Sequence, residues 1–512
     1  MKQMKVLLVI VAVGIALTTR PVYAHGFGER YDLPVPLWLY LVGAGVAVAL
    51  SFAVIGFFVR GTSGLHDYPR INLLRWHAGR ALIHPAVVLP IKVASVSLFV
   101  LVILAGLIGD PAPLANLAPT VVWVIWWVGF AYVSSLVGNV WALINPWKIT
   151  FEWAEGLYRR LDPEGELSFR VRYPDQLGVW PGLFLFLGFA WAEIVYAESA
   201  FPARIAQMGL LYSLIAWAGM IVFGKEQWLR YGEAFSLAFG LLARFAPTEV
   251  RVVDQQVCDA CEVQCLDLDG HCIGCGNCFR RASTAQRELN LRPFAVGLLR
   301  HESVSPSMLV FVVLLLSTVT FDGFTATPLW SDIQSSLYAT FPNLTTIGSF
   351  GLVVFPMLFI TVYLGFSALM AAASGNRLSI SDMARAFVYS LVPIALAYHL
   401  AHFLSFLLIQ GQLIIPLASD PFGFEWDLFG TADYRINIAI VNARFAWFTA
   451  VGAIVVGHII AVYLAHTIAL RTLREHQPAL RSQYPMLGLM VGYTMVSLWI
   501  IAQPIVETAP KG

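Results

Sequence analysis

The stretch AFVYSLVPIALAYHLAHFLSFLLIQGQLI, residues 386 to 414, is apolar over the length of a membrane-spanning helix and yet contains two histidines. A second apolar segment, residues 441 to 466, contains His458 and ends at His466. About 20 apolar residues are enough to cross the roughly 30 Å of hydrocarbon in a bilayer. An ionisable side chain at that depth is costly without a partner or a function, so we expect His402 and His458 to mark the functional region.

The composition of the chain also indicates a membrane protein. Of its 512 residues, 58% are hydrophobic and only 12% are charged, which is far too apolar for a soluble domain of this size. The formal net charge of +1 does not supply the clustered basic charge that nucleic-acid binding requires. We therefore predict an all-α, polytopic transmembrane bundle whose partner is the lipid bilayer, and not nucleic acid.

The chain divides into a leader, two membrane halves and a long connection between them. Residues 1 to 24 have a basic start, an apolar run and a small-residue site ending at Ala24, which is typical of a cleaved signal peptide. The membrane halves are residues 25 to 223 and 305 to 512, and the connection is residues 224 to 304. Ten predominantly apolar runs predict ten membrane helices, near residues 34–59, 86–108, 119–145, 178–198, 205–223, 305–321, 347–370, 386–414, 441–466 and 486–505.

Lys and Arg are distributed unevenly between the connections. One alternating set of connections contains 24 of these residues, whereas the other set and the mature tails contain five. Because basic residues favour the cytoplasmic side, both mature termini are predicted outside and the connection 224 to 304 inside. The outer connection 321 to 346 then includes Asp322. The segment from Glu226 to about Phe245 has the spacing of an amphipathic helix lying on the inner membrane surface.

All six cysteines of the chain lie in the long connection, between residues 258 and 278. In a reducing cytoplasm, clustered thiolates usually bind metal. The run from Cys272 to Cys278 resembles the segment that binds a [4Fe-4S] cluster in bacterial ferredoxins, but alanine stands at position 282, where a fourth cysteine is expected. A zinc ribbon built from Cys-x2-Cys pairs is the alternative. The spacing leaves both cofactors open, and the predicted ligands are Cys258, Cys261, Cys265, Cys272, Cys275 and Cys278.

Ionisable residues inside the predicted helices form a second candidate site. His402, His458 and Glu193 are the ligand types of an open zinc or non-haem iron site, and His466 is the next candidate ligand. Two histidines on neighbouring helices can equally hold a haem. Alternatively, these histidines bond backbone carbonyls or hydroxyls between helices and have no chemical role.

Short segments scattered over the mature chain carry a family resemblance. They are residues 24–36 (AHGFGERYDLPVP), 145–147 (NPW), 320–323 (TFDG), 401–403 (AHF), 410–412 (QGQ), 426–431 (WDLFGT), 457–458 (GH) and 465–466 (AH). In these segments the chain resembles a family of polytopic inner-membrane proteins that carries the name fenitrothion hydrolase. The resemblance extends over most of the membrane domain, whereas the cysteine cluster looks like an insertion.

The resemblance implies an aryldialkylphosphatase-type hydrolase in a bacterial-type inner membrane. Its substrate would be an apolar organophosphorus triester such as fenitrothion, which is cleaved to a nitrophenol and a dialkyl thiophosphate. On this hypothesis a metal-bound hydroxide attacks phosphorus, with His402, His458 and Glu193 as the predicted catalytic metal ligands. The alternative function is a membrane metal transporter or redox protein that uses the midplane histidines and the cysteine cluster.

Overall fold

The computed structural model of the protein describes residues 31–58, 68–259, 261, 265–266, 272–299 and 304–505. Within these residues, ten helices are long and apolar enough to cross a membrane. The prediction of an all-α polytopic bundle of about ten helices is therefore confirmed. The predicted signal peptide, residues 1 to 24, lies outside the described residues and stays a prediction.

Helices dominate the described chain. Besides the main helices, one- or two-turn helices lie at His77–Leu82, Trp141–Ile144 and Gln255–Asp259. In chain order the main helices are α1 (Leu37–Phe58), α2 (Pro85–Ile108), α3 (Leu117–Leu136), α4 (Pro146–Leu161), α5 (Asp175–Ile194), α6 (Pro202–Phe223), α7 (Lys225–Tyr231), α8 (Ala234–Leu242), α9 (Gly276–Arg281), α10 (Pro306–Thr325), α11 (Pro328–Tyr338), α12 (Leu344–Ala373), α13 (Ile380–Ser419), α14 (Ala443–Leu473) and α15 (His476–Ile505).

Helix α10 lies at the centre of the bundle. Of its most apolar window, 72% is buried by protein, whereas the corresponding figure for α2 is 6%. Helices α5, α12 and α13 pack around α10, and α1 packs against α14 and α15 at the other end of the chain. One hydrophobic core contains residues from both predicted membrane halves. The side chains of α10 are therefore the best shielded from lipid in the bundle.

Helix α10 is longer than the sequence pattern predicts. The helix starts after the N-cap Ser305, whose side chain accepts a hydrogen bond from the backbone of Met308, and it ends at Thr325. The predicted span ends at residue 321, because a count of apolar residues stops at the first charge. Asp322 is therefore not in an outer connection, as predicted, but in the last turn of a central helix, where His402 is its hydrogen-bond partner.

The predicted surface helix between residues 226 and 245 is also wrong. The segment forms two helices, α7 and α8, and α8 is buried between α3 and α5. Ala234, Ala238 and Phe239 have no exposed surface. Glu233 lies immediately before α8 and caps it, since its carboxylate accepts hydrogen bonds from the backbone of Phe235 and Ser236. Glu233 suggested a solvated helix face, but its carboxylate instead binds the free backbone N–H groups at the start of a buried helix.

A small antiparallel sheet forms a compact unit beside the bundle. Its strands are β1 (Ile71–Asn72), β2 (Thr248–Val252), β3 (Cys272–Ile273) and β4 (Arg287–Leu291), in the order β1-β4-β2-β3. We call the described residues between 248 and 292, together with β1, the cysteine cap. Buried Arg292 and half-buried Arg70 each form an ion pair of 2.7 Å with Glu249, which ties β2 to β4 and to the first connection.

Candidate functional site

The secondary structure of the cysteine cap brings the six cysteines together. Cys272 lies on β3, and Cys275 caps α9, which contains Cys278. Gly274 makes the turn between β3 and α9 with a φ of +83°, a conformation that glycine adopts without strain. Cys258 lies in the short helix Gln255–Asp259 on the other side of the cluster. The turn and the two helices therefore orient thiols from distant parts of the connection toward one point.

The cysteine sulfurs form two overlapping groups. In each group, four ligand atoms lie within 4.8 Å of one another, and Cys265 and Cys278 belong to both groups. The Sγ atoms of Cys265 and Cys278 are 3.4 Å apart, and those of Cys261 and Cys275 are 3.9 Å apart. None of the six cysteines forms a disulfide. The predicted convergence of the cysteines into a cluster that can bind a metal ion is confirmed.

The electrostatic environment favours a thiolate at Cys275. A hydrogen bond from the Cys272 thiol lowers the pKa of the Cys275 thiol to about 4, and the backbone N–H of Cys278 donates to the same sulfur at 3.5 Å. Burial raises the pKa of the Cys258 thiol. Because metal binding requires thiolates, Cys275 is prepared for ligation, whereas Cys258 must release its proton when a metal binds.

A network of charged residues joins the cysteine cap to the bundle. Glu152 on α4 forms ion pairs with Arg280 on α9 and with Lys92 on α2, the latter at 3.0 Å. Arg280 also reaches Glu226 on α7 at 3.3 Å. Burial alone would raise the pKa of Glu152, but the positive charges of Lys148 and Arg280 lower it to about 2. The ionised carboxylate thus holds the cysteine-bearing helix against the bundle.

Asp322 and His402 form a hydrogen-bonded pair inside the membrane domain. The Nε2 atom of His402 lies 2.8 Å from Oδ2 of Asp322, and the imidazole stacks on Tyr398. Glu193, one residue before the end of α5, interacts electrostatically with Asp322. The structure therefore groups two of the predicted site residues, His402 and Glu193, around a carboxylate that the sequence pattern assigned to a connection. The signal that the sequence offered for this site was Asp322 itself, an acidic residue directly after an apolar run.

His399, also on α13, is buried among apolar side chains. Its side chain is 6% exposed, and neither ring nitrogen has a hydrogen-bond partner among the residues that the structure describes. The ring lines a cavity of about 20 Å³ with Trp127 and with apolar side chains of α8 and α10. Trp127 belongs to a π-helical stretch, Thr120–Gly129, and π-helical turns are frequent at functional sites. The cavity has room for about one water molecule or ion.

His458 and His466 are buried at other levels of the bundle. The Nδ1 atom of His458 lies 2.8 Å from the carbonyl oxygen of Ile454, and its Nε2 atom has no partner among the described residues. His466 makes a 3.0 Å contact with Oε1 of Gln483. Gly457, next to His458, faces Pro393 and Ala397 on α13. These two residues lie more than one helical turn before His402, so His458 is at a different level of α13 from His402.

The predicted set of three membrane ligands is not brought together. Among the described residues, the groups of three or more potential ligand atoms within 4.8 Å consist of cysteines alone. His402 and Glu193 share the Asp322 site, whereas His458 lies apart from them and next to Tyr493, at a ring separation of 5.9 Å. Tyr493 in turn hydrogen-bonds Thr320 of α10 at 2.6 Å. Comparisons of the chain with protein-family models, with curated proteins and with solved structures found no match.

Proposed function

We propose that the protein is a membrane transporter of a thiophilic divalent metal ion such as Zn²⁺. The observation that carries this proposal is the convergence of six cysteines into two overlapping ligand groups at the edge of a ten-helix bundle. Thiolates select soft and borderline ions, and Zn²⁺ accepts both thiolate and imidazole ligands. The cysteine cap would bind the ion before or after its passage through the bundle.

His399 and His458 are the proposed ligands inside the bundle. Both imidazoles are buried, on the neighbouring helices α13 and α14, and both have ring nitrogens without partners among the described residues. A buried polar group without a partner costs about 1–3 kcal/mol, so a transient ligand offers a reason for their presence. A neutral imidazole nitrogen is a common ligand for Zn²⁺. Asp322, the hydrogen-bond partner of His402, would supply the negative charge that a cation needs at this depth.

Zinc uptake into proteoliposomes tests the proposal. The purified chain is reconstituted with a zinc-sensitive dye inside the vesicles, and the initial rate is measured after external Zn²⁺ is added. We expect the His399→Gln, His458→Gln double variant to lose at least about tenfold in rate, because a transported ion would cross without its ligands. His77→Gln is the matched control, since His77 is exposed. Uptake by the double variant at the wild-type rate would overturn the proposed path.

A second candidate function is hydrolysis of an apolar phosphotriester, which the His402–Asp322 pair favours. A carboxylate that orients an imidazole is the arrangement of a general base. In this hypothesis the pair removes a proton from water, the water oxygen bonds to phosphorus, and the phenolate leaves. Asp322 keeps 22% of its side-chain surface exposed, which gives a substrate dissolved in the membrane access to the pair. The resemblance to the fenitrothion hydrolase family supports this candidate as well.

Nitrophenolate release from fenitrothion by membranes that contain the protein tests the second candidate. We expect Asp322→Asn and His402→Gln each to lower the rate by about 10²- to 10⁴-fold, the usual contribution of general-base catalysis. Asp332→Asn is the control, because Asp332 is an exposed aspartate on α11. A wild-type rate no higher than that of membranes without the protein would eliminate the hydrolase and leave the transporter.

A further inference from the structure

We propose that the cysteine cap binds two metal ions at once, in a pair bridged by the thiolates of Cys265 and Cys278. This inference rests on the proposed function only in requiring that the cap binds metal, and it specifies the stoichiometry and the ligands. Each ion would have four sulfur ligands. The first ion would use Cys258 and Cys272 as its own ligands, and the second Cys261 and Cys275.

The sulfur–sulfur distances fit ions that bind thiolates directly. At a Zn–S distance of about 2.3 Å, the sulfurs of a tetrahedral site are about 3.8 Å apart. The separation of Cys261 and Cys275 is 3.9 Å, and that of the shared pair Cys265 and Cys278 is 3.4 Å. Two tetrahedral metal sites that share one edge would account for two groups of four sulfurs with two sulfurs in common. The shared edge is the line between Cys265 and Cys278.

A pair of ions uses all six thiols, which a single ion does not. One tetrahedral ion would take four cysteines and leave the other two as thiols beside a negatively charged centre. In a [4Fe-4S] cluster the four thiolates bind different irons from the outside, with inorganic sulfide between the irons. Such thiolates are farther apart than the ligands of one ion, whereas each group here lies within 4.8 Å. The compact arrangement favours direct thiolate ligation of ions such as Zn²⁺, Cd²⁺ or Cu⁺.

The charge of such a centre is compensated nearby. Six thiolates and two divalent ions leave a net charge of −2, the same as for one ion with four thiolates. The guanidinium of Arg280 interacts electrostatically with Cys275, and the backbone N–H of Cys278 donates to the Cys275 sulfur. Arg280 belongs to the network that joins the cap to α4, so binding of the ions would strengthen the same contact that docks the cap.

The two positions differ in their access to solvent. Cys258, Cys265, Cys272 and Cys278 are all buried, whereas Cys261 and Cys275 are half-buried. An ion with Cys261 and Cys275 among its ligands is therefore easier for a chelator to reach. We expect removal in two steps, in which the ion at Cys261 and Cys275 leaves first.

Metal stoichiometry and cadmium NMR of the purified full-length protein test the inference. The protein is produced without a histidine tag, loaded with Cd²⁺ and dialysed, and a variant with serine at all six cysteines provides the baseline for other sites. We expect two sulfur-bound ions per chain above that baseline, one for each ligand group, with two cadmium resonances that are coupled through the shared sulfurs. X-ray absorption of the zinc-loaded protein should show a metal–metal vector.

Two double variants separate the possible results. Cys261→Ser with Cys275→Ser should leave one ion at the buried position, and Cys258→Ser with Cys272→Ser should leave one ion at the other position. One ion in both the wild type and the first variant would overturn the bridged pair but keep metal binding by the cap. No bound ion in the wild type would overturn the proposed function as well. These wild-type measurements decide the matter even if a variant fails to fold.

Discussion

At the scale of single residues, the contact between α10 and α13 is closest at Gly323 and Tyr398. The Tyr398 side chain is fully buried, and a Cβ atom added to Gly323 would lie 2.3 Å from its hydroxyl oxygen and 3.2 Å from Ile500. Glycine therefore lets the tyrosine hydroxyl approach the helix that bears Asp322. The geometry of the Asp322–His402 pair depends on this approach, because His402 is one turn beyond Tyr398 on α13.

We predict that Gly323→Ala lowers the stability of the protein by about 1–3 kcal/mol, the usual cost of overpacking a buried contact. Thermal unfolding in detergent measures the effect. Adding Tyr398→Phe removes the hydroxyl that the new methyl group would meet, and this second change should restore much of the loss. Gly365→Ala on α12 is the matched control, since its Cβ would have no neighbour within 4 Å. Equal losses for both alanine variants would contradict the assignment to the Tyr398 contact.

The sequence predicts which residues are unusual better than it predicts their partners. His402, His458 and Glu193 are conspicuous because each is ionisable within an apolar run. Their partners are not conspicuous. Asp322 follows directly after an apolar run, and only the packing of α10 against α13 shows that it is inside the bundle. His399 is conspicuous in the same way, but its lack of a hydrogen-bond partner depends on side chains from α3, α8 and α10.

At the scale of elements, the docking of the cysteine cap depends on the charge of Glu152. The pKa of Glu152 is about 2 in the folded protein, below its ordinary value of 4.5. Since the folded state favours the ionised form, the contribution to stability is complete above about pH 4.5 and is lost as the pH falls toward 2. The shift corresponds to a contribution on the order of 3 kcal/mol.

We therefore predict that acid loosens α9 from α4 before it unfolds the bundle. The protection of the backbone amides in α9, that is, their exchange rate relative to the intrinsic rate at the same pH, should fall in the wild type as the pH drops from about 4.5 toward 2. Glu152→Gln should show lower protection of α9 already at neutral pH, with little further loss in acid. Glu164→Gln is the control, because Glu164 is an exposed residue of the same connection. Identical pH profiles for wild type and Glu152→Gln would show that other contacts dock the cap.

The ten long helices could be predicted because apolar length alone decides whether a helix spans a membrane. The shorter elements could not. Strands β1 and β3 have two residues each, too few for any periodic pattern, and they exist because β4 and β2 offer edges to pair with. The prediction for the segment that forms α8 is wrong because Glu233, beside an apolar run, suggested a solvated helix face. Glu233 instead accepts hydrogen bonds from side chains of α6 and of the segment before α4, including Tyr212 and Asn145.

At the scale of the whole molecule, the concentration of Lys and Arg in alternate connections predicts how the protein is oriented in the membrane, and this orientation stays a prediction. It assigns the cysteine cap to the cytoplasmic side, together with the connections that contain most of the Lys and Arg residues. The structure adds that Arg280 of the cap pairs with Glu152 on α4, and that Glu152 also pairs with Lys92 near the start of α2. The cap therefore lies on the same side of the bundle as the start of α2 and as α4.

We predict that a membrane-impermeant maleimide labels the metal-free protein in inside-out vesicles and not in intact right-side-out vesicles. Cys261 and Cys275 are the expected targets, because they are half-buried whereas the other four cysteines are buried. Loading with Zn²⁺ should protect both residues. Mass spectrometry of the labelled peptides identifies the sites, and detergent-solubilised protein shows that the thiols are reactive. Labelling in right-side-out vesicles alone would reverse the orientation.

The strand order of the cap has a consequence for biosynthesis. Strand β4 is the last of the four strands in the chain and yet pairs with both β1 and β2. The ribosome delivers Ile71 and Asn72 of β1 long before residues 287–291 exist, so the first connection must wait, without a partner strand, while the four long helices α2, α3, α5 and α6 are made. Closure of the sheet then ties an early part of the nascent chain to a part made more than 200 residues later.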